Sequence, residues 1–171
     1  MGRLLTMSMY KKEKNYAFID NQNVYMAMKA MGWRLDWEKL RRYLKEKYSV
    51  ETAYMFIGYL PGNRHLYEVF QKAGYIVIFK DVLENKDGTV KGNVDVELVL
   101  QVMMDYPVYD QAIIMSGDGD FASLIKYLVE KDKFKMLLVP NQKKYSFLLR
   151  KAAKKSINSM DALREKLEIK E

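Results

Sequence analysis

Short apolar runs alternate with stretches of helical periodicity along the whole chain. Aromatic, aliphatic and β-branched residues are concentrated at residues 16–19, 52–59, 75–79, 111–115 and 135–139, which predicts five strands. Apolar residues recur at helical spacing in residues 24–31, 36–47, 64–72, 94–104, 121–131, 146–154 and 161–167. This order predicts an α/β fold in which helices cover both faces of a mostly parallel five-stranded sheet.

Local signals support several of these boundaries. Asp36 stands just before a helical stretch and is a suitable N-cap, whereas Gly74 is a suitable C-cap for the helix at residues 64–72. Residues 81–92 are polar and contain the turn sequence KDG at 86–88. Pro140 ends the fifth predicted strand.

The length of 171 residues predicts one domain with a full core. We assign residues 1–14, which carry three lysines near their end, to a basic N-terminal extension and residues 15–171 to a single domain. No run approaches the ~18 apolar residues of a membrane helix, and the start lacks the apolar core of a signal peptide. We therefore expect a cytoplasmic protein with no membrane contact, and a homo-oligomer is left open.

Composition narrows the chemistry. The net charge of +7 favours an acidic partner, with nucleic acid first among them. The absence of cysteine excludes disulfides, zinc thiolates, iron–sulfur clusters and thiol catalysis. His65 is the only histidine, which argues against a histidine metal cluster or a serine–histidine triad. A metal site in this chain must use oxygen ligands, which suit Mg²⁺ or Mn²⁺.

Four acids stand where strands end or a helix begins. Asp118 and Asp120 follow the fourth predicted strand, Asp20 ends the first, and Asp95 opens the helix at 94–104. Each alone fits an ordinary cap, turn or first-turn acid. Together they predict a shared pocket, because ligands of parallel sheets bind outside the carboxyl ends of the strands. Clustered carboxylates repel one another, so a divalent cation is expected among them.

Three motifs occur in order: FIDNQN at residues 18–23, KGNVD at 91–95 and SGDGDF at 116–121. They resemble the NYN domain, a branch of the PIN-like nuclease superfamily that includes LabA-like proteins. The resemblance covers the chain from about residue 16 to the last helix. It implies a PIN-like, Rossmann-like α/β/α sandwich of three layers, a carboxylate site for Mg²⁺ or Mn²⁺, and ribonuclease activity.

By motif position, the four acids correspond to the family's catalytic and metal-binding residues, Asp20, Asp95, Asp118 and Asp120. Asn23 matches a polar residue after the first acid, and Ser116 matches the small hydroxyl residue before the glycine; we predict that both contribute donors to the substrate-binding site. Similar family members often carry a further acid about two turns into the helix that Asp95 begins. Gln101 stands near that place, so we expect weaker metal binding.

Basic residues near the predicted strand ends are candidates for contact with substrate phosphates: Arg64, Lys91, Lys143 and Lys144. Lys91 fits a solvated loop lysine equally well. Tyr145 follows the lysine pair and suits base stacking, and Arg150 lies in a denser basic cluster that also fits a solvated helix face. His65 is interpreted as a surface residue rather than a catalytic base.

Two functions remain open from the sequence. The first is a metal-dependent endoribonuclease acting on single-stranded RNA, in which the acids hold the ion and position a water molecule. The second is a non-catalytic RNA-binding or regulatory module that retains the acidic pocket. The pair Gly117 and Gly119 lacks the lysine and the full spacing of a nucleotide-binding loop, so a nucleotide cofactor is rejected.

Overall fold

The computed structural model describes residues 11–88 and 90–170, without the side chains of Glu84, Val90 and Lys91. The predicted basic extension lies outside this range except for residues 11–14, which form neither helix nor strand. Lys14 N donates a hydrogen bond to Asp110 Oδ2 at 2.7 Å, and Asp110 N donates to Lys14 O at 2.8 Å. The chain is therefore held at the amino edge of the sheet before its first strand begins.

Six parallel strands form the central sheet, in the order β3-β2-β1-β6-β7-β8. They are β1 (Asn15–Asp20), β2 (Val50–Tyr59), β3 (Ile76–Asp81), β6 (Ala112–Met115), β7 (Phe134–Val139) and β8 (Ile157–Ser159). A small antiparallel hairpin, β4 (Leu83–Glu84) and β5 (Val90–Lys91), stands apart from the sheet. The helices are α1 (Asn21–Met31), α2 (Trp37–Tyr48), α3 (Arg64–Lys72), α4 (Asp95–Met104), α5 (Ala122–Glu130), α6 (Phe147–Ala153) and α7 (Arg164–Leu167).

The predicted count of five strands is wrong by one. β8 pairs with β7 through Leu137↔Ile157, Leu138↔Asn158 and Val139↔Ser159. This edge strand has three residues, and only its first is apolar, so no apolar run marked it in the sequence. The polar segment after β3 likewise contains the short hairpin as well as its predicted turn, where Gly88 N donates to Asn85 O at 2.9 Å.

Two hydrophobic clusters lie on opposite faces of the sheet, which confirms the three-layer α/β/α sandwich. One cluster joins the sheet to α1, α2, α3 and α7, and the other joins it to α4, α5 and α6. All residues of β1 are buried. Both faces of a parallel sheet are covered by helices, so its strands are read as continuous apolar runs rather than as alternating ones.

Helix ends follow the local signals in the sequence. Asp36 is the N-cap of α2, and its side chain accepts a hydrogen bond from Lys39 N at 3.0 Å, as predicted. α3 ends just before Gly74, whose φ of 91° is the left-handed conformation that favours glycine. Among the described residues, no helix is long and apolar enough to cross a membrane.

Candidate functional site

The candidate site lies where two central strands end side by side. β1 and β6 are parallel neighbours with Ile19 opposite Met115, so the chain leaves both strands at the same edge. The next residues are Asp20 and Ser116, and Ser116 Oγ donates a hydrogen bond to Asp20 Oδ2 at 3.0 Å. α4 brings Asp95 to the same edge. Three separate segments of the chain therefore meet at the carboxyl ends of the strands.

Three carboxylates come close together at this edge. One oxygen from each of Asp95, Asp118 and Asp120 lies within 4.8 Å of the other two. Asp95 and Asp118 are half-buried and Asp120 is exposed. None of the ion pairs among the described residues involves these carboxylates. The trio is a patch of negative charge made of hard oxygen donors, and the nearby charge of Lys80 offsets it only in part.

This spacing fits a divalent cation. Ligand oxygens at about 2.1 Å from Mg²⁺ lie at most about 4.2 Å apart. Small side-chain rotations would bring the trio into that range, and a carboxylate can also contact such an ion through one of its waters. Burial raises the pKa of Asp95, and the charges of Asp118 and Asp120 raise it further, against a hydrogen bond from Asn93 that lowers it. Asp95 thus pays a penalty for its charge that a bound cation would relieve.

Asp20 lies behind the trio and outside its mutual 4.8 Å spacing. It lines a cleft of about 290 Å³ together with Asp95 and Asp118, but only 4% of its surface is exposed. Burial raises its pKa from 3.8 to about 6, and the charges of Asp95 and Asp118 act in the same direction. Asp20 is also the N-cap of α1 and accepts a hydrogen bond from Asn23 N at 3.3 Å.

The turn that carries Asp118 and Asp120 is held from two sides. Gly117 N donates to Asn23 Oδ1 at 2.7 Å, and Ser146 N donates to Gly117 O at 3.2 Å. A Cβ added to Gly119 would lie 2.4 Å from Ser146 Oγ, so the loop before α6 packs directly on this turn. Asn23 is therefore a hydrogen-bond partner of the turn, and Ser116 is a hydrogen-bond partner of Asp20.

The basic candidates are placed differently from one another. Lys143 and Lys144 are exposed in the loop that packs on the acidic turn. Tyr145 lies beside them, with the Arg150 guanidinium 5.6 Å from its ring centre and a 3.1 Å hydrogen bond from Arg150 Nε to its hydroxyl. One face of that ring is therefore already occupied.

None of the basic candidates whose side chains are described lines the acidic cleft itself. Arg64 is exposed at the first position of α3. Lys91 lies in β5, but its side chain is outside the described residues. His65 is exposed and lines a different, apolar cavity.

Sequence reasoning missed three polar neighbours of the site: Gln22, which lines the cleft, Asn93 and Lys80. Asn93 Nδ2 donates to Asp95 Oδ2 at 2.9 Å, and Asp95 N donates to Asn93 Oδ1 at 2.9 Å. Lys80 Nζ donates to Asn93 O at 2.6 Å, and it lies 3.3 Å from Glu97 Oε2. In the sequence, the asparagine two residues before Asp95 was a signal for the two hydrogen bonds between these residues. No sequence signal pointed to Lys80, which comes from β3.

Gln101 lies away from the acidic cleft. Its Nε2 donates to Asp105 Oδ2 at 2.9 Å and lies 3.5 Å from the Tyr54 hydroxyl. Tyr54 in turn donates to Asp105 Oδ2 at 2.6 Å. The neutral side chain at position 101 therefore belongs to a hydrogen-bond network near the far end of α4. Its lack of charge does not change the charge of the cleft.

Comparison with known proteins agrees with this architecture. A solved protein of unknown function from Vibrio parahaemolyticus superposes with a TM-score of 0.79 at 24% identity, over 95% of this chain and 100% of that one, which shows a shared fold. The Low amplitude and bright protein LabA of Synechococcus elongatus is 27% identical over 124 residues, covering 67% of each chain. The NYN domain profile matches residues 15–161, which include all four acids. The chain therefore belongs to the NYN domain family, whose fold is PIN-like.

Proposed function

We propose that this protein is a Mg²⁺- or Mn²⁺-dependent ribonuclease that hydrolyses phosphodiester bonds in single-stranded RNA in the cytoplasm. The observation that carries the proposal is the trio of Asp95, Asp118 and Asp120, with oxygens within 4.8 Å of one another. The nuclease-like fold of the family and the positive net charge of the chain support it.

In this proposal Asp95, Asp118 and Asp120 would hold the ion, and Asp20 would complete the negative wall of the cleft. A divalent cation bound there activates water and stabilises negative charge on a phosphoryl group. Asn23 and Ser116 hold the acidic turn and the Asp20 carboxylate in place. Lys143 and Lys144 contact phosphates of the strand on either side of the bond to be cleaved. No imidazole is needed, so His65→Ala should retain most of the activity.

Metal binding can be tested without any substrate. An ion that binds only the folded protein raises stability by mass action, by about 2.7 kcal/mol at a hundred times its Kd. Titrating Mn²⁺ into metal-free protein should raise Tm, and Asp118→Asn or Asp120→Asn should reduce the rise. Asp132→Asn is the matched control, because Asp132 is an exposed carboxylate at the opposite edge of the sheet, and asparagine tolerates its φ of 55°. A Tm that Mn²⁺ leaves unchanged contradicts the metal site.

Cleavage is tested with a labelled, mixed-sequence single-stranded RNA. We expect fragments with Mg²⁺ or Mn²⁺, none with a chelator, and none with Asp20→Asn or Asp118→Asn. Asp132→Asn should cleave like the wild type.

The alternative function is a non-catalytic RNA-binding or regulatory module that retains the acidic pocket. Its sequence support was the neutral Gln101, which in the structure bonds to Asp105 rather than lining the cleft. RNA that binds tightly but stays intact under every metal condition would establish this alternative in place of the nuclease.

A further inference from the structure

A second cavity lies directly beside the acidic cleft. It is a groove of about 610 Å³ between α1 and α3, closed at one end by the segment after α1, and we refer to it as the α1–α3 groove. Its volume is in the range of small-molecule pockets, roughly 300–1,000 Å³. The residues that matter below are Tyr25, Lys29, Trp33, Arg34, Trp37 and His65, all of which line it.

Helix α1 separates the groove from the acidic cleft. Asn21 lines the groove, whereas its neighbours Asp20 and Gln22 line the cleft. One turn later, Tyr25 faces the groove and Met26 faces the cleft. The two cavities therefore share one wall, a single helix thick, at the edge of the sheet where Asp20 is located. The first turn of α1 carries residues from the linings of both cavities.

The two cavities have opposite electrostatic character. Three of the residues that line the cleft are aspartates, whereas none of the described carboxylates lines the groove. Lys29, Arg34 and His65 are exposed and supply the ionisable groups of the groove. No ion pair among the described residues engages Lys29 or Arg34. An anionic ligand is therefore favoured at the rim of the groove.

The walls of the groove are aromatic and aliphatic. Tyr25 is 56% exposed, and its ring contacts no other ring in the described part of the chain. Trp33 is buried at the far end, and Trp37 packs edge-on against Phe70, with ring centres 4.9 Å apart. A free aromatic face above an apolar floor, with cations at the rim, suits a flat base attached to a phosphate.

We propose that the α1–α3 groove binds an unpaired nucleobase of an RNA strand whose adjoining phosphate lies at the acidic cleft. This inference rests on the proposed function and specifies which part of the substrate the groove binds. It assigns Tyr25 as the stacking residue and Lys29 as a contact to the neighbouring phosphate. A paired base cannot enter the groove, because its partner strand and its stacked neighbours hold it in the helix, so the groove selects single strands.

The test measures binding without divalent ions, so that no cleavage interferes. A short single-stranded RNA containing the fluorescent adenine analogue 2-aminopurine is titrated with wild type, Tyr25→Ala, Tyr25→Phe and Lys29→Ala. We expect quenching of the analogue on binding. Tyr25→Ala should abolish that quenching and weaken binding by roughly five- to a hundredfold, whereas Tyr25→Phe should retain both. Tyr127→Ala is the matched control, since Tyr127 is 39% exposed on α5, on the other face of the sheet.

Two results of this titration would overturn the inference. The first is unchanged quenching and affinity in Tyr25→Ala, and the second is an equal loss for single-stranded and duplex RNA. A competition experiment tests occupancy of the groove: anilinonaphthalene sulfonate, an anionic dye with an apolar aromatic body, should be displaced from the groove by the RNA. Dye that stays bound while RNA binds elsewhere would show that RNA does not occupy the groove and would also overturn the proposal.

The same measurements separate this inference from the proposed function. If Tyr25→Ala binds RNA normally while Asp118→Asn abolishes cleavage, the nuclease stands and the groove assignment fails. If the quenching depends on Tyr25 but no metal supports cleavage, the groove assignment stands and the nuclease fails.

Discussion

Asp20 combines two structural roles with conflicting demands. As the N-cap of α1 it works best as a charged acceptor, and a helix N-terminus favours negative charge. Burial beside two further acids opposes that charge and raises its pKa to about 6. The charged form of Asp20 is therefore unfavourable in the metal-free protein, and a bound cation would remove this penalty.

The raised pKa gives stability a defined dependence on pH. The folded protein keeps the Asp20 proton up to about pH 6, whereas the unfolded chain releases it near 3.8. Because the folded state binds more protons in this window, the free energy of unfolding falls as pH rises through it, by roughly 2–3 kcal/mol. The pKa of Asp95 is raised too and contributes with the same sign.

Asp20→Asn should therefore flatten the pH profile of the metal-free protein and raise its stability above pH 6. Urea unfolding at a series of pH values measures this, with Asp132→Asn as the control. An unchanged slope between pH 4 and 6 in Asp20→Asn would show that Asp20 titrates normally in the folded protein.

Gly119 shows how closely the acidic turn is packed. Its missing Cβ would lie 2.4 Å from Ser146 Oγ and 3.0 Å from Ser146 Cβ, and Ser146 is fixed as the N-cap of α6. We expect Gly119→Ala to cost about 1–3 kcal/mol of stability. It should also weaken Mn²⁺ binding, because the flanking acids must move. Gly62→Ala is the control, since nothing lies within 4 Å of the Cβ it would add. Equal Tm values for the two variants would contradict this account.

At the scale of elements, α4 joins the acidic cleft to a separate polar network. Its first residue is Asp95, and the network of Gln101, Asp105 and Tyr54 lies toward its other end. Helical geometry places residue 101 about 9 Å along the axis from Asp95. The chemistry at position 101 is therefore tied to the packing of α4 on β2.

Placing an acid at position 101 tests whether this position belongs to the polar network rather than to the cleft. Gln101→Glu removes the amide donor to Asp105 Oδ2 and places a second carboxylate against the first. We expect a loss of about 1–3 kcal/mol in thermal or urea unfolding and no gain in Mn²⁺ affinity. Gln101→Met, which removes the donor without adding charge, separates repulsion from the lost hydrogen bond. Tighter Mn²⁺ binding by Gln101→Glu would mean that the side chain reaches the cleft after all.

At the scale of the whole molecule, charge is unevenly distributed. The chain carries a net charge of +7, yet four acids gather at one edge of the sheet. Lys143 and Lys144 lie on the loop that packs against the acidic turn. In the proposed function, these cations beside the cleft would hold a strand of RNA while one phosphate is placed among the acids.

RNA affinity should consequently fall steeply with salt. Each phosphate contact on a single strand contributes about 0.7 to the slope of log K against log salt. Lys143→Ala with Lys144→Ala should lower that slope by about 1.4 and weaken binding at low salt. The double change Lys45→Ala and Lys47→Ala, in the last turn of α2, is the matched control. Wild-type affinity and slope in the first double variant would exclude this loop from the RNA site.

The sequence by itself determined most of the elements and the class of the fold. Strands buried on both faces must be continuously apolar, and capped helices carry their own start and stop signals, so both are written locally. The order of the acidic motifs was equally readable, because acids that follow parallel strands emerge at one edge of the sheet. β8 was not predicted, because a short polar edge strand is specified by its pairing with β7 rather than by its own residues.

Only the tertiary structure decided which groups meet. It separated Asp20 from the trio of Asp95, Asp118 and Asp120, turned Gln101 toward Asp105, and brought Lys80 from β3 to the start of α4. It also created the α1–α3 groove from segments far apart in the chain. Sequence spacing sets which edge or face a residue occupies. Distances within a site depend on strand order, helix packing and turn geometry, which are fixed only when the whole chain is folded.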